Sequence, residues 1–423
     1  MRYQYEHLFA LTVCFAVMPM VAMAESPGLE PTETRANFGS PSATENTLRS
    51  DGETSQIKEQ EGALEKWFQW KENLASGTGF SFGLDYNIMA LGTDNSSGED
   101  TAAGGVARIF GAWELYNRGS VNSGRLVWKF EHRHKYTDVA PNRLALDELG
   151  NAGLLAPTFS DVGFRISNFY WGQTFNDGKS SISVGYLDVT DYLDVFLGGS
   201  PWTGFSNFAF GPGSSTIFLP EDGTLGLAGG TMLDESFYVV GGITNAFSDP
   251  EDPFSNSFDR FFNDGEFFKS LEIGYTTEPD RIYFDNTHLT LWHVDSSSDA
   301  GTDEGHGAVF THVRYINDSW APFVRGGYAD GGGALLEKSL SAGVLYQPDP
   351  TGDLAGFGIN WGEPNEDVFG SGLKDQVTVE AFYRFQLTGQ IAVTADVQYL
   401  NNSALSPTNE DYLVFGIRTR FAF

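Results

Sequence analysis

From Phe80 to the end of the chain, apolar and polar residues alternate in short runs broken by Gly, Asn, Asp and Pro, and a helical period is almost absent. A period of two places successive side chains on opposite faces of a strand. Val377–Leu387 sets Val377, Val379, Ala381, Tyr383, Phe385 and Leu387 against Thr378, Glu380, Phe382, Arg384 and Gln386. Thr388-Gly389 then turns the chain, and Ile391, Val393, Ala395, Val397 and Tyr399 oppose Thr394, Asp396 and Gln398. The last run sets Leu413, Phe415, Ile417, Phe421 and Phe423 against Gly416, Arg418 and Arg420. Similar runs start near Phe80, Ala107, Arg125, Gly163, Ser181, Thr224, Phe237, Ser270, Thr287, Ala308, Pro322, Lys338, Leu354, Val377, Ile391 and Tyr412.

A soluble sandwich would turn these apolar faces inward. A transmembrane barrel inverts the arrangement, with apolar residues toward lipid and polar residues toward a wet lumen. Three features favour inversion: apolar faces that end in aromatics, Arg and Glu in mid-strand on the polar faces, and a chain that stops at Phe423 within its last alternating run. The predicted fold is all-β, a transmembrane antiparallel β-barrel of about 16 strands with a short N-terminal helix. An even count leaves no edge unpaired. Two long segments, Asp138–Asp161 and Thr190–Asp222, remain as loops expected to cover or enter the channel.

Ahead of the barrel, Met1–Ala24 (1–24) reads as a signal peptide. Leu8–Val17 is its apolar core, Ala22-Met23-Ala24 its small-residue site, and cleavage is expected before Glu25. Residues 25–60 are polar and acidic and read as a flexible lead-in. Residues 61–78 read as a short helix, because Leu64, Trp67, Phe68, Lys71 and Leu74 share one face before Ser76-Gly77-Thr78-Gly79. The barrel takes 79–423.

Composition narrows the chemistry. Aromatics are 14% and charged residues 19%, which suits strands and turns more than an ordinary soluble domain. Asp and Glu number 56 against 25 Lys and Arg, a net charge of −31, which excludes the basic footprint of a nucleic-acid binder. The single Cys, Cys14, lies in the expected signal peptide, so neither a disulfide framework nor a multi-Cys zinc site is expected. Much of the acid excess falls in loops and the lead-in (Glu45, Asp51, Glu53, Asp249, Asp303 and others), where it would repel anions from a rim.

The inward phase of the strands offers Arg108, Glu114, Lys129, Glu131, Arg133, Arg165, Trp171 and Gln173, then Trp292, Arg314 and Arg325. Glu380, Arg384, Gln386, Asp396, Gln398, Arg418 and Arg420 complete the set. Arg forks donate, carboxylates accept and aromatic faces cover the apolar side of a ring, so such a lumen suits hydroxyl-rich neutral solutes. Taken singly, each of these residues reads first as an ordinary wet-lumen side chain that pairs to hold the barrel. Asp188, Asp191 and Asp194 form a weak candidate for a hard cation, but the segment lacks the glycine and final glutamate of a calcium loop. Pro201-Trp202 and Phe205–Phe210 read as loop packing before sugar stacking. His132 and His134 have zinc-like spacing but share phase with Leu126, Trp128 and Phe130, so an interfacial position is favoured. No cofactor is called for, and no hydrolase, metalloprotease or phosphate-loop motif is present.

In order along the chain stand Phe80-Ser81-Phe82-Gly83-Leu84-Asp85-Tyr86, Leu289-Thr290-Leu291-Trp292-His293 and Trp320-Ala321-Pro322-Phe323-Val324-Arg325-Gly326-Gly327-Tyr328. Gly358-Ile359-Asn360-Trp361-Gly362, Glu380-Ala381-Phe382-Tyr383-Arg384-Phe385-Gln386 and Thr394-Ala395-Asp396-Val397-Gln398-Tyr399 follow. Taken together from Trp67 to Phe423, the chain resembles the carbohydrate-selective porins, the OprB-like family. The resemblance implies a sixteen-stranded outer-membrane barrel that passes small sugars, with the short helix near its periplasmic mouth. Outer-membrane lipid and lipopolysaccharide would be its surroundings, and the strand ending at Phe423 would be read by the barrel-assembly machinery. The acidic lead-in and the high negative charge depart from the family pattern. A general or cation-preferring porin is the alternative; a lipase-like barrel enzyme and a soluble β-rich adhesin are more remote.

Overall fold

A computed structural model describes residues 35–57, 64–96, 98–249, 254–317, 319–348, 352–406 and 411–423. The expected signal peptide and its cleavage site lie outside the described residues. Two helices precede the barrel, α1 at Thr44–Ile57 and α2 at Glu65–Thr78. The first eight strands are β1 Phe80–Thr93, β2 Thr101–Tyr116, β3 Gly124–Lys135, β4 Gly163–Phe175, β5 Ser180–Leu187, β6 Thr224–Met232, β7 Phe237–Asn245 and β8 Phe267–Thr276. The second eight are β9 Asn286–Val294, β10 Gly305–Val313, β11 Trp320–Gly331, β12 Leu336–Tyr346, β13 Leu354–Pro364, β14 Gln376–Gln386, β15 Ile391–Asn401 and β16 Tyr412–Ala422. Each pairs antiparallel with its sequence neighbours, and β1 pairs with β16 from Asp85↔Ala422 to Thr93↔Val414 to close the ring. Phe423 completes the seam: its N–H donates to the Leu84 carbonyl (2.7 Å) and its carbonyl accepts from Leu84 (3.1 Å). Closure satisfies every strand edge internally, as a hydrocarbon surround requires.

The two faces sort as the alternation predicts. On β16, Val414, Arg418 and Arg420 are buried while Phe415 and Ile417 are more than half exposed. The exposed set around the ring includes Leu289, Leu291, Phe310, Val324, Phe357 and Ile359, an apolar outer band. Aromatics close it toward the end where β1 begins and β16 finishes, the short-turn end, where Phe80 packs on Trp113 and Trp128. His132 and His134 lie on this outer face, with His134 stacked on Tyr86, as their phase indicates.

One register departs from simple alternation. Between β3 and β4 the pairing slips after Lys129↔Asn168, so that Phe130 meets Ile166 and both Ser167 and Asn168 are buried. This bulge inserts one residue and inverts the phase of the rest of β4. Arg165 therefore points inward, whereas Trp171, expected inward, stands on the outer face with Gln173. Arg314 also leaves the expected lumen set, because β10 ends at Val313 and Arg314 is exposed in the following turn.

The lumen is not empty. The β3–β4 loop turns inward and packs Leu144, Leu149, Leu155 and Phe159 against Met89, Val106, Leu400 and Val414 of the wall. The β5–β6 loop, 188–223, enters beside it and is tied to it by Ala156 N–H to Ser206 O (2.7 Å) and Phe208 N–H to Leu154 O (2.9 Å). Each fully buried apolar side chain stabilises this packing by about 1.5–3 kcal/mol. Gly358 of β13 gives the loop room, since a Cβ there would meet the Phe210 ring at 2.7 Å.

Residues 35–57 of the segment expected as a flexible lead-in also sit inside the ring. Helix α1 carries no apolar stripe because its surroundings are the polar wall. Glu45, Asp51 and Glu53, expected on a solvated rim, are paired with Arg125, Arg420 and Arg281. The short helix expected over 61–78 is α2; Trp67 and Trp70 pack on Phe82, and Lys71 donates to the Phe423 carbonyl at 2.8 Å.

Candidate functional site

The residues expected to line the channel form three groups. The first holds the β5–β6 loop. Arg325 of β11, fully buried, donates to the Phe210 and Gly211 carbonyls (2.9 and 2.8 Å), to Thr311 Oγ1 (3.1 Å) and to Asp194. Glu380 accepts the Ser206 and Asn207 N–H groups (2.6 and 2.9 Å). Arg418 donates to the Pro201 and Gly204 carbonyls (2.7 and 2.8 Å). Asp396 accepts from Gln398, which also reaches Ser206. Lys129 meets Asp191 at 3.1 Å and Asp188 at 3.4 Å. Trp292 lies beneath the loop, stacked on Phe268 within an apolar cluster that includes Leu193 and Ile217.

These contacts also locate Asp188, Asp191 and Asp194. They do not converge: the first two face Lys129, while Asp194 faces Arg325, His288 Nε2 (2.8 Å) and Thr311 Oγ1 (2.6 Å). Burial pushes the Asp194 carboxyl up, but the Arg325 guanidinium and the bonds from His288 and Thr311 outweigh it and hold the group below the usual carboxylate range.

The second group is an ion-pair ladder where β3 and β4 meet the loop's end. Glu131 pairs with Arg133, Arg133 with Asp222 (2.7 Å), and Arg165 with both Asp222 and Glu221 (2.9 Å each). The ladder neutralises these charges pairwise and ties the loop's end to β3 and β4.

The third group surrounds open space. A cavity of about 110 Å³ is lined by Arg108, Trp202, Arg384, Gln386 and Arg420 together with Asn46, Thr47, Ser50 and Asp51 of α1. Arg108 donates to Asp85 (2.8 Å), and its guanidinium lies 3.9 Å from the Trp202 ring centre. Arg420 bridges Asp85 (2.8 Å) and Asp51 (2.6 Å). A cluster of Arg forks, amide and carboxylate groups and aromatic side chains (Trp202, Tyr283 and Phe284) is the donor–acceptor set a hydroxyl-rich ring requires. Trp202 also packs on Phe159 and is buried, as the loop-packing reading of the Pro201-Trp202 pair expects. A larger cavity of about 550 Å³ lies at the short-turn end, between α1, α2 and the wall, with Glu114 on its lining.

Alternation placed Arg108, Lys129, Glu131, Arg165, Arg325, Glu380, Arg384, Asp396 and Arg418 inside. It did not reveal that most of them grip a loop. The α1 segment carries no apolar periodicity that would mark it as part of the lumen.

Residues 281–423 match the family model described as "Carbohydrate-selective porin, OprB family". That stretch contains β9–β16 and Trp292, Arg325, Glu380, Arg384, Asp396 and Arg418. No curated protein matches the chain. Among solved structures, the high-pH structure of Pseudomonas putida OprB is similar with a TM-score of 0.65 and 14% identity, covering 85% of this chain and 97% of that one. A mutant of the Rh. blastica porin is similar with a TM-score of 0.51 and 12% identity, covering 81% of this chain and all of the other. Both share the sixteen-stranded porin fold.

Proposed function

We propose that this chain is a carbohydrate-selective porin of the OprB type, a passive outer-membrane channel for small sugars. The observation that carries this reading is the family match over 281–423, the half of the barrel that supplies Arg325, Glu380, Arg384 and Arg418. The closed barrel supports a transport channel in the outer membrane of a Gram-negative bacterium. Its sugar path runs beside the in-folded loop, past Trp202 and the Arg108–Arg384–Arg420 cluster, to the short-turn end. Sugars exchange bulk-water hydrogen bonds for the Arg and amide groups there, and the apolar ring face meets the aromatic side of the cavity, lined by Trp202, Tyr283 and Phe284. None of these contacts demands a charge on the solute.

The finer partners follow from the outer surface and the termini. The apolar band faces lipid, the acidic long loops meet lipopolysaccharide through divalent cations, and the β16 strand ending in Phe423 is the assembly signal. Export removes the leader near Ala24. Planar-bilayer recording tests the sugar reading: millimolar sugar should reduce single-channel current, and an unchanged current would leave the general, cation-preferring porin as the account.

A further inference from the structure

The sugar path leads from Trp202 toward the short-turn end, and α1 lies across it. Asp51 is held by Arg420 on β16 (2.6 and 2.8 Å), while Glu53, two residues later, is held by Arg281 in the β8–β9 turn. Around the ring, β16 and β8 are eight strands apart of sixteen, so the two anchors come from opposite walls. Further ties fix the segment leading into α1. Ala36 N–H donates to Gly178 O (3.0 Å), Asn37 N–H to Pro279 O (2.8 Å) and Ser40 N–H to Asp191 O (2.7 Å). The wall is shaped to receive it, because a Cβ on Gly230 of β6 would meet the Phe38 ring at 2.7 Å. Asp51 lines both the cavity beside Trp202 and the larger one at the short-turn end, which makes α1 the partition between them.

We infer that residues 35–57 form a fixed transverse strap that sets the exit constriction of the channel, and with it the upper size of the permeant. The strap is a second selectivity element, supplied by the N-terminal segment and separate from the in-folded loop. Its charged ties reach opposite walls and its backbone ties hold the segment before α1, so it stays in place while the channel conducts. The inference rests on the chain being a channel, whatever solute it prefers.

Deletion of 35–57 from the full chain, reconstituted in planar bilayers, tests this with ions and neutral polymers of graded size. Conductance should rise about twofold or more, and the exclusion limit should move to larger polymers. A folded deletion variant with unchanged conductance and limit overturns the inference. Should the deletion yield no folded barrel, Ser50→Cys serves instead. Ser50 is exposed on α1 and lines the cavity beside Trp202, and the only native Cys is Cys14. Modification of that thiol by a bulky reagent should remove about half the conductance or more, and the unsubstituted protein should not respond. Complete labelling without loss of current overturns the inference. Because these readouts use ions and polymers, an absent sugar block would strike the sugar reading and leave the strap standing.

Discussion

Asp194 and Arg325 meet in the middle of the barrel with both side chains fully shielded from solvent. One comes from the β5–β6 loop and the other from β11, so their pairing fixes the loop inside the lumen. Removing one partner of such a pair leaves an uncompensated buried charge, at a cost of about 3–5 kcal/mol. Asp194→Ala should therefore lower the temperature at which the compact, heat-modifiable form is lost. It should also raise single-channel conductance as the loop loosens. Asp194→Asn, which keeps hydrogen-bonding capacity, should do less of both.

The same pair predicts a pH response. A carboxyl held below its unfolded value of about 3.9 contributes its stabilisation above that value and loses it only as pH falls through the lower, folded one. The part of the conductance that this pair controls should therefore stay flat from neutral pH to about pH 4 and rise only in stronger acid. Recording the same channel across this range checks it; Asp194→Asn should lack the acid step.

Trp202, with Tyr283 and Phe284, supplies the aromatic lining of the cavity that Arg108, Arg384 and Arg420 surround. Trp202→Ala should raise the sugar concentration that half-blocks the current by about tenfold. Titration of block with a neutral monosaccharide measures this, and ion selectivity should hardly change.

The outer face carries its own prediction. Ile417, 59% exposed beside the buried Arg418, lies mid-strand on the lipid side. Ile417→Lys should cost about 2–4 kcal/mol in barrel stability, whereas Leu413→Lys, near the long-loop rim, should cost about 0–1 kcal/mol. Denaturant titration in lipid vesicles compares the two.

Much of this architecture is legible in the sequence because a wet lumen and a lipid exterior enforce strict alternation. The runs expected to start at Phe80, Gly163, Thr224, Phe237, Leu354, Ile391 and Tyr412 begin at those residues. Trp171 and Gln173 escape that logic because the bulge at Ser167 and Asn168 inverts the phase without altering composition. The roles of Arg325, Glu380 and Arg418 were hidden for another reason: alternation tells which face a side chain takes, not which loop carbonyl or N–H it meets. Helix α1 was missed because it packs among Arg125, Arg281 and Arg420 and needs no apolar stripe.

The central claim is tested most directly by uptake of labelled sugar into proteoliposomes containing the full-length barrel. The account predicts uptake that saturates with sugar concentration and exceeds that of charged solutes of equal size. Uptake that follows size and charge alone, or none above protein-free vesicles, would contradict it.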